Sequence, residues 1–263
     1  MIKCFYKVGG NMKKLEELDL SKKKYIIFDM DGTLIDSIGI WNEADYKIIH
    51  QFAQLSVDLD EIQKDRDFFL EHNSSTDIYV AYCDYLIQKY HMDISKEELI
   101  NKRWASVDFI LRNELSYKDG VRELLRELKS RGFILVLATA TTQRQIDIYA
   151  EGNSKMASAV SFYDTFDFVV RKEDVQHKKP NPEVYLKVLN HYQANPLECL
   201  VFEDSLHGIM AAKAAKIETV NVYDKYSNRE RNKINLLTDY RIDSFYEFMN
   251  VKLGGNYEYT KRK

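Results

Sequence analysis

Asp29 and Asp31 stand two residues apart in the run Asp29-Met-Asp-Gly-Thr33, directly after the apolar segment Lys24-Tyr-Ile-Ile-Phe28. Three more chemistry-bearing positions follow at long spacing: Thr139, Lys179 and the acid pair Glu203-Asp204. Each lies where an apolar run ends or in the loop just beyond it. If folding gathers those ends, several carboxylates converge around one lysine and one hydroxyl. Carboxylates a few ångströms apart repel strongly at low dielectric, so an empty site of this kind is unfavourable and a divalent cation resolves it. Hard oxygen donors beside a phosphate select Mg²⁺. The chemistry these residues suit is metal-assisted handling of a phosphate.

Something must bring those ends together. Lys24–Phe28 and Phe133–Ala138 are short apolar runs of the kind that form strands buried on both faces of a parallel sheet. Further strands are expected at Phe166–Val170, Leu200–Phe202 and Glu218–Val222, with helices at Val121–Lys129, Glu183–His191 and Ser205–Ala215. Gly132 suits the end of the first of these helices. Strands alternating with helices predict an α/β fold, a doubly wound parallel sheet of Rossmann-like type, whose strand ends share one edge. Such an edge is where open α/β sheets bind ligands.

The segment from Ser37 to about Asn113 reads differently. Ser37 is a candidate N-cap for a helix carrying Ile40, Trp41, Ala44, Ile48 and Phe52 at helical spacing. Ile78 to Leu86 carries a second apolar stripe, and Ser95-Lys-Glu-Glu98 is a capping box opening a third helix. No strand pattern appears there. The expected organisation is an N-terminal extension (1–20), an α/β core (21–36 and 117–250), an inserted all-helical domain (37–116) and a loose polar tail (251–263). Gly9-Gly10-Asn11 before Met12 is what a ribosome-binding sequence read in frame would encode, which makes Met12 a candidate start.

Composition narrows the partners. Net charge is −3, from 38 basic and 41 acidic residues, so no single sign dominates and neither nucleic acid nor a membrane surface is expected as partner. No apolar run approaches the roughly 20 residues of a membrane span. The N-terminus lacks the apolar core of a signal peptide. Cys4, Cys83 and Cys199 are far apart and read as free thiols of a reducing cytoplasm. A cytoplasmic monomer is the expectation. The histidines at 50, 72, 91, 177, 191 and 207 show no shared ligand spacing. Read locally, Glu203-Asp204-Ser205 is also a helix start with Ser205 as N-cap, a role compatible with metal binding.

Taken together, Asp29-Met-Asp-Gly-Thr-Leu-Ile-Asp-Ser37, Leu137-Ala-Thr-Ala-Thr-Thr142, Lys179-Pro-Asn-Pro182 and Val201-Phe-Glu-Asp-Ser-Leu-His-Gly208 resemble, in order and spacing, the four motifs of the haloacid dehalogenase superfamily. The helical insert resembles the cap of its β-phosphoglucomutase-like branch. The resemblance implies a phosphoric monoester hydrolase in which Asp29 attacks phosphorus to form an aspartyl-phosphate and Asp31 protonates the leaving oxygen. Thr139 and Lys179 would hold phosphoryl oxygens, and Gly32, Thr33 and Ala140 would complete the substrate-binding set. Asp29, Asp31 (through its carbonyl), Glu203 and Asp204 would hold Mg²⁺. The insert would be a mobile lid with hinges near Thr33–Gly39 and Leu115–Gly120. Its specificity loop is expected at Phe69–Thr76, and Arg66, His72 and Asn73 are candidate substrate contacts. Two other functions compete. A phosphohexose mutase would carry histidine where Trp41 stands, and a non-catalytic binder would not need the full motif set.

Overall fold

Six parallel strands form one sheet: β1 (Tyr25–Phe28), β2 (Ile134–Ala138), β3 (Phe168–Val170), β4 (Cys199–Glu203), β5 (Glu218–Val222) and β6 (Tyr240–Ile242). Their order is β3-β2-β1-β4-β5-β6. The computed structural model describes residues 12–53, 55–73, 75 and 77–258. Every residue of β1 and β4 is buried, as strands covered on both faces require. Alternation sorts their side chains. Tyr25, Ile27, Val136 and Val201 pack with Val184, Tyr185, Ala211 and Ala212. On the other face Phe28 stacks on Phe202 at 5.0 Å, and Phe202 meets Phe245 and Phe248. β6, absent from the sequence reading, is a three-residue edge strand. From β1 the chain steps outward to β2 and β3, then crosses back to β4 on the other flank. That reversal between β1 and β4 is the switch point where such sheets open a crevice.

The chain divides into two compact units: residues up to Ser37 with those from Ser116 onward, and Ile38–Leu115. The second is all-helical, with α1 (Ile40–Phe52), α2 (Leu59–His72), α3 (Ile78–Tyr90) and α4 (Lys96–Phe109), which continues into a π-helical turn at Ile110–Glu114. Asp58, Asp77 and Ser95 cap α2, α3 and α4 by accepting from backbone N–H groups. Ile49, Ile62, Phe69, Cys83, Leu86 and Leu99 form its core. Buried among them, Asp45 accepts from Arg103 Nε at 2.7 Å and from Arg66 Nη2 at 2.6 Å. The Arg103 guanidinium also lies over the rings of Trp41, Tyr79 and Tyr82. α2 corrects the sequence reading: Phe69–His72 are its last turn, and the connection between the first two helices is 53–58 instead.

Around the sheet run α5 (Val121–Ser130), α6 (Gln143–Asp147), α7 (Ser154–Ala159), α8 (Phe162–Thr165), α9 (Glu183–Tyr192), α10 (Leu206–Ala214), α11 (Arg231–Leu237) and α12 (Phe245–Lys252). Residues expected as a separate extension belong to this unit. Leu15 and Leu18 are buried, and Lys13 N–H donates to Asp239 O. The tail is fixed at least to Tyr257, which exchanges hydrogen bonds with Asn250 and stacks on Tyr246. Cys83 and Cys199 are free and buried. Cys4, residues 1–11, Ser74 and Thr76 lie outside the described residues. Among the described residues, no helix is long and apolar enough to cross a membrane.

The chain leaves and re-enters the sheet unit at paired points. Ile35 and Tyr117 form an antiparallel bridge, and Lys118 N–H donates to Leu34 O at 2.8 Å. The Lys118 ammonium donates to the carbonyls of Gly32 and Tyr223 and, at 2.8 Å, to Asp224. Leu34–Ile35 and Tyr117–Lys118, which the sequence placed in two hinges, are therefore tied to each other.

Candidate active site

The register of β1 sets the site. Phe28 pairs with both Leu137 and Phe202, so Asp29 emerges level with Glu203, one residue short of Thr139 on the opposite flank. Asp29 N–H donates to Phe202 O at 3.0 Å, which continues the ladder and fixes the side chain. Lys179 reaches in from the loop before α9. Its ammonium donates to Asp29 Oδ1 at 2.6 Å and to Glu203 Oε1 at 2.7 Å. Burial alone would push this ammonium's pKa down, but Asp29 and Glu203 outweigh it and hold it well above the usual lysine range. Glu203 Oε2 accepts from Ser205 N–H at 2.8 Å and from Ser205 Oγ. Ser205 also caps α10 by accepting from Gly208 N–H. Both oxygens of Glu203 are thus engaged with Lys179 and Ser205. Expected among the metal ligands, it is also the second anchor of the lysine.

Asp204 follows β4 and is buried; its Oδ1 accepts from Thr33 Oγ1 at 2.8 Å. Asn221, buried on β5, donates to the carbonyls of Glu203 and Asp204 and holds this loop in place. Gly32 has φ +83°, a backbone conformation glycine adopts without strain, and its N–H donates to Ile35 O as the chain turns back. Burial pushes the Asp29 carboxyl pKa up, and Lys179 only partly reverses this. Burial and the charges of Glu203, Asp29 and Asp224 push Asp204 up as well. Among the described residues five carboxylates, Asp29, Asp31, Glu203, Asp204 and Asp224, gather here against three cations, Lys179, Lys118 and the Arg231 guanidinium. A divalent cation fits that imbalance and that all-oxygen donor set. Among the described residues no three acidic, histidine or cysteine side chains converge closely enough to hold a metal alone. The donors that fit are the Asp29 and Asp204 carboxylates with the Asp31 main-chain carbonyl.

The Asp31 side chain is committed elsewhere. Its Oδ1 accepts from Ser37 Oγ at 2.6 Å and Tyr149 OH at 3.0 Å, and its Oδ2 accepts from Thr141 Oγ1. Ser37 therefore does not cap α1, whose N-cap is Gly39. Thr139 Oγ1 lies 2.7 Å from Thr141 Oγ1 and accepts from Thr141 N–H. A cavity of about 330 Å³ opens beside Thr139, Ala140 and Lys179, walled further out by Lys172, Gln176 and Lys178. A roomier cavity of about 400 Å³, near Arg126 and Asp164, shares no residue with the acids or Lys179.

The sequence profile of haloacid dehalogenase-like hydrolases matches residues 26–222, from β1 to the end of β5. The chain belongs to this family. It is 28% identical over 201 residues to hexitol phosphatase B of Escherichia coli K12, covering 74% of this chain and 82% of that protein. It is 29% identical over 196 residues to the phosphorylated carbohydrates phosphatase of Thermotoga maritima, covering 74% and 82% respectively. The crystal structure of a putative β-phosphoglucomutase from Thermotoga maritima superposes with a TM-score of 0.67 at 26% identity, covering 88% of this chain and 99% of that one.

In this haloacid dehalogenase-like hydrolase, the sheet unit brings together Asp29, Asp31, Gly32, Thr33, Thr139, Ala140, Lys179, Glu203 and Asp204 at one end of β1, β2 and β4. The helical candidates fare differently. Arg66 is spent on Asp45, so its guanidinium serves the fold. His72 is exposed, with Nδ1 at 2.8 Å from Phe68 O, and Asn73 accepts from Ser75 N–H. Sequence reasoning missed Tyr149, Thr141, Asn221 and Lys118, whose partners are distant in the chain. Ser37 was seen but given the wrong partner.

Proposed function

We propose that the chain is a Mg²⁺-dependent phosphatase of small phosphorylated metabolites, sugar or polyol phosphates among them. The observation that carries this is the second carboxylate, Asp31, beside an Asp29 already anchored by Lys179. Esters of sugars and polyols leave as alkoxides, poor leaving groups that need a proton as the bond breaks. The names of the two phosphatase relatives point to the same substrates.

The steps follow from the residues. Asp29 attacks phosphorus, and the ester P–O bond breaks with its electron pair passing to the leaving oxygen, which takes a proton from Asp31. Water, giving its proton to Asp31, then attacks the aspartyl-phosphate and frees Asp29 and inorganic phosphate. Lys179 offsets phosphoryl charge and Thr139 donates to a phosphoryl oxygen. Asp29, Asp204 and the Asp31 carbonyl would hold a divalent cation, which when bound would supply further positive charge to offset the phosphoryl group.

The test is phosphate release from hexitol, hexose and nucleoside phosphates, with and without EDTA. Release should vanish on chelation, return with Mg²⁺, and be abolished by Asp29→Asn. Hydrolysis that survives chelation or Asp29→Asn would refute the proposal. A rearranged sugar phosphate without free phosphate would point to a mutase instead.

A further inference from the structure

Of the three hydroxyls on Asp31, one comes from a residue that phosphate and metal binding do not require. Tyr149 lies 118 positions away in sequence, is 0% exposed, and donates to Asp31 Oδ1 at 3.0 Å. The backbone that carries it departs from α-helical form, because α6 runs into a π-helical turn at Ile148–Gly152. Such turns are rare and often mark functional sites, since the extra residue re-aims a side chain. A buried phenol without a partner is costly, and Asp31 is the partner here. Burial and the Asp31 charge push this phenol's pKa far above its usual range, so it donates and does not ionise.

We propose that Tyr149 is a positioning residue for Asp31, fixing the carboxylate in the orientation that proton transfer to the leaving oxygen needs. This rests on the phosphatase reading. Three elements triangulate the carboxylate: Ser37 from the loop after β1, Thr141 from the loop after β2, and Tyr149 from the π-helical turn. Without the Tyr149 hydroxyl, Oδ1 keeps only Ser37 and the carboxylate gains freedom to turn. The ring itself, and the core packing it provides, stay in place in Tyr149→Phe. The loss should therefore fall on chemistry that uses the Asp31 proton.

The experiment compares kcat/KM of wild type and Tyr149→Phe on a hexitol phosphate and on p-nitrophenyl phosphate. kcat/KM reports steps up to formation of the phosphoenzyme, where a nitrophenolate leaves without needing a proton. Tyr149→Phe should lower the alkyl value about tenfold, a fraction of what a general acid supplies, and the aryl value less than about threefold. In an Asp31→Asn background the same substitution should change neither value. Equal losses on both esters, no loss on either, or a further loss in the Asp31→Asn background would overturn the positioning role while leaving the phosphatase reading intact. A folded wild-type enzyme that hydrolyses neither ester would instead remove the phosphatase reading and this inference with it.

Discussion

Replacing Gly208 by alanine tests the arrangement of Lys179 and Glu203 from a position that touches no substrate. The added methyl would stand 1.5 Å from Glu203 Oε1 and 1.9 Å from its Cδ, so one of them must move. Gly208 lies in the first turn of α10, held by its N–H bond to Ser205 Oγ. The carboxylate is the more movable of the two, but it is tied to Lys179 at 2.7 Å and to Ser205 N–H at 2.8 Å. Its withdrawal forfeits a hydrogen bond to a charged partner, about 1.5–3 kcal/mol, and overpacking alone costs about 1–3 kcal/mol. An overall destabilisation of about 2–5 kcal/mol follows, allowing for partial relaxation. Lys179 would keep Asp29 but lose its second anchor, and a shift of about 1 Å in a catalytic group costs on the order of 10²-fold in rate. Urea unfolding followed by circular dichroism, together with phosphate release at saturating Mg²⁺, measures both effects. If Gly208→Ala unfolds within about 0.5 kcal/mol of wild type, the surface-substitution range, and hydrolyses at the wild-type rate, the Glu203 carboxylate does not occupy this position.

Two further outcomes are expected. Asp45→Asn should weaken the helical unit by about 3–5 kcal/mol, because Arg103, 2% exposed, would be left without its carboxylate; an unchanged urea midpoint would show that the ion cluster is dispensable. Burial pushes the Glu218 carboxyl pKa up, but hydrogen bonds from Lys23 and Lys13 outweigh it and bring it to about 2. A folded pKa below the unfolded one gives stability that is present above about pH 4.5 and lost as pH falls toward 2, on the order of 1 kcal/mol once solvent screening of this half-exposed pair is allowed for. Glu218→Gln should flatten the wild-type decline in that window, and an unaltered acid limb would refute the assignment.

The parallel strands were legible because burial on both faces makes them continuous apolar runs: Glu218–Val222 was read with its observed bounds, and Lys24–Phe28 within one residue. β6 escaped because a three-residue edge strand, Tyr240-Arg-Ile242, leaves no run long enough to read. α2 escaped because only Ile62 and Phe69 of its residues are buried, too thin a stripe for a periodicity argument. The acids, Thr139 and Lys179 could be found because their motifs are local. The groups that orient them could not, since a hydroxyl's partner is set by tertiary structure. Ser37 illustrates this: before a helical stripe it looks like an N-cap, yet it serves Asp31, six residues back around the turn. For Tyr149, the sequence signal that could have helped is an interrupted helical period after Gln143.

The place of β1 in the sheet has a consequence for how the chain assembles as it is synthesised. β1 is the first of the sheet's six strands in sequence, yet its neighbours are β2, more than 100 residues later, and β4, which ends at Glu203. The segment that ends in Asp29 must therefore wait, unpaired and apolar, until β2 is made, and it gains its second neighbour only once β4 has followed. The helical unit, Ile38–Leu115, is continuous in sequence and has all its residues long before that moment. The insert can thus be folded while the sheet that carries Asp29 is still incomplete, and the edge where Asp29, Lys179 and Glu203 meet takes shape only after β4 has been made.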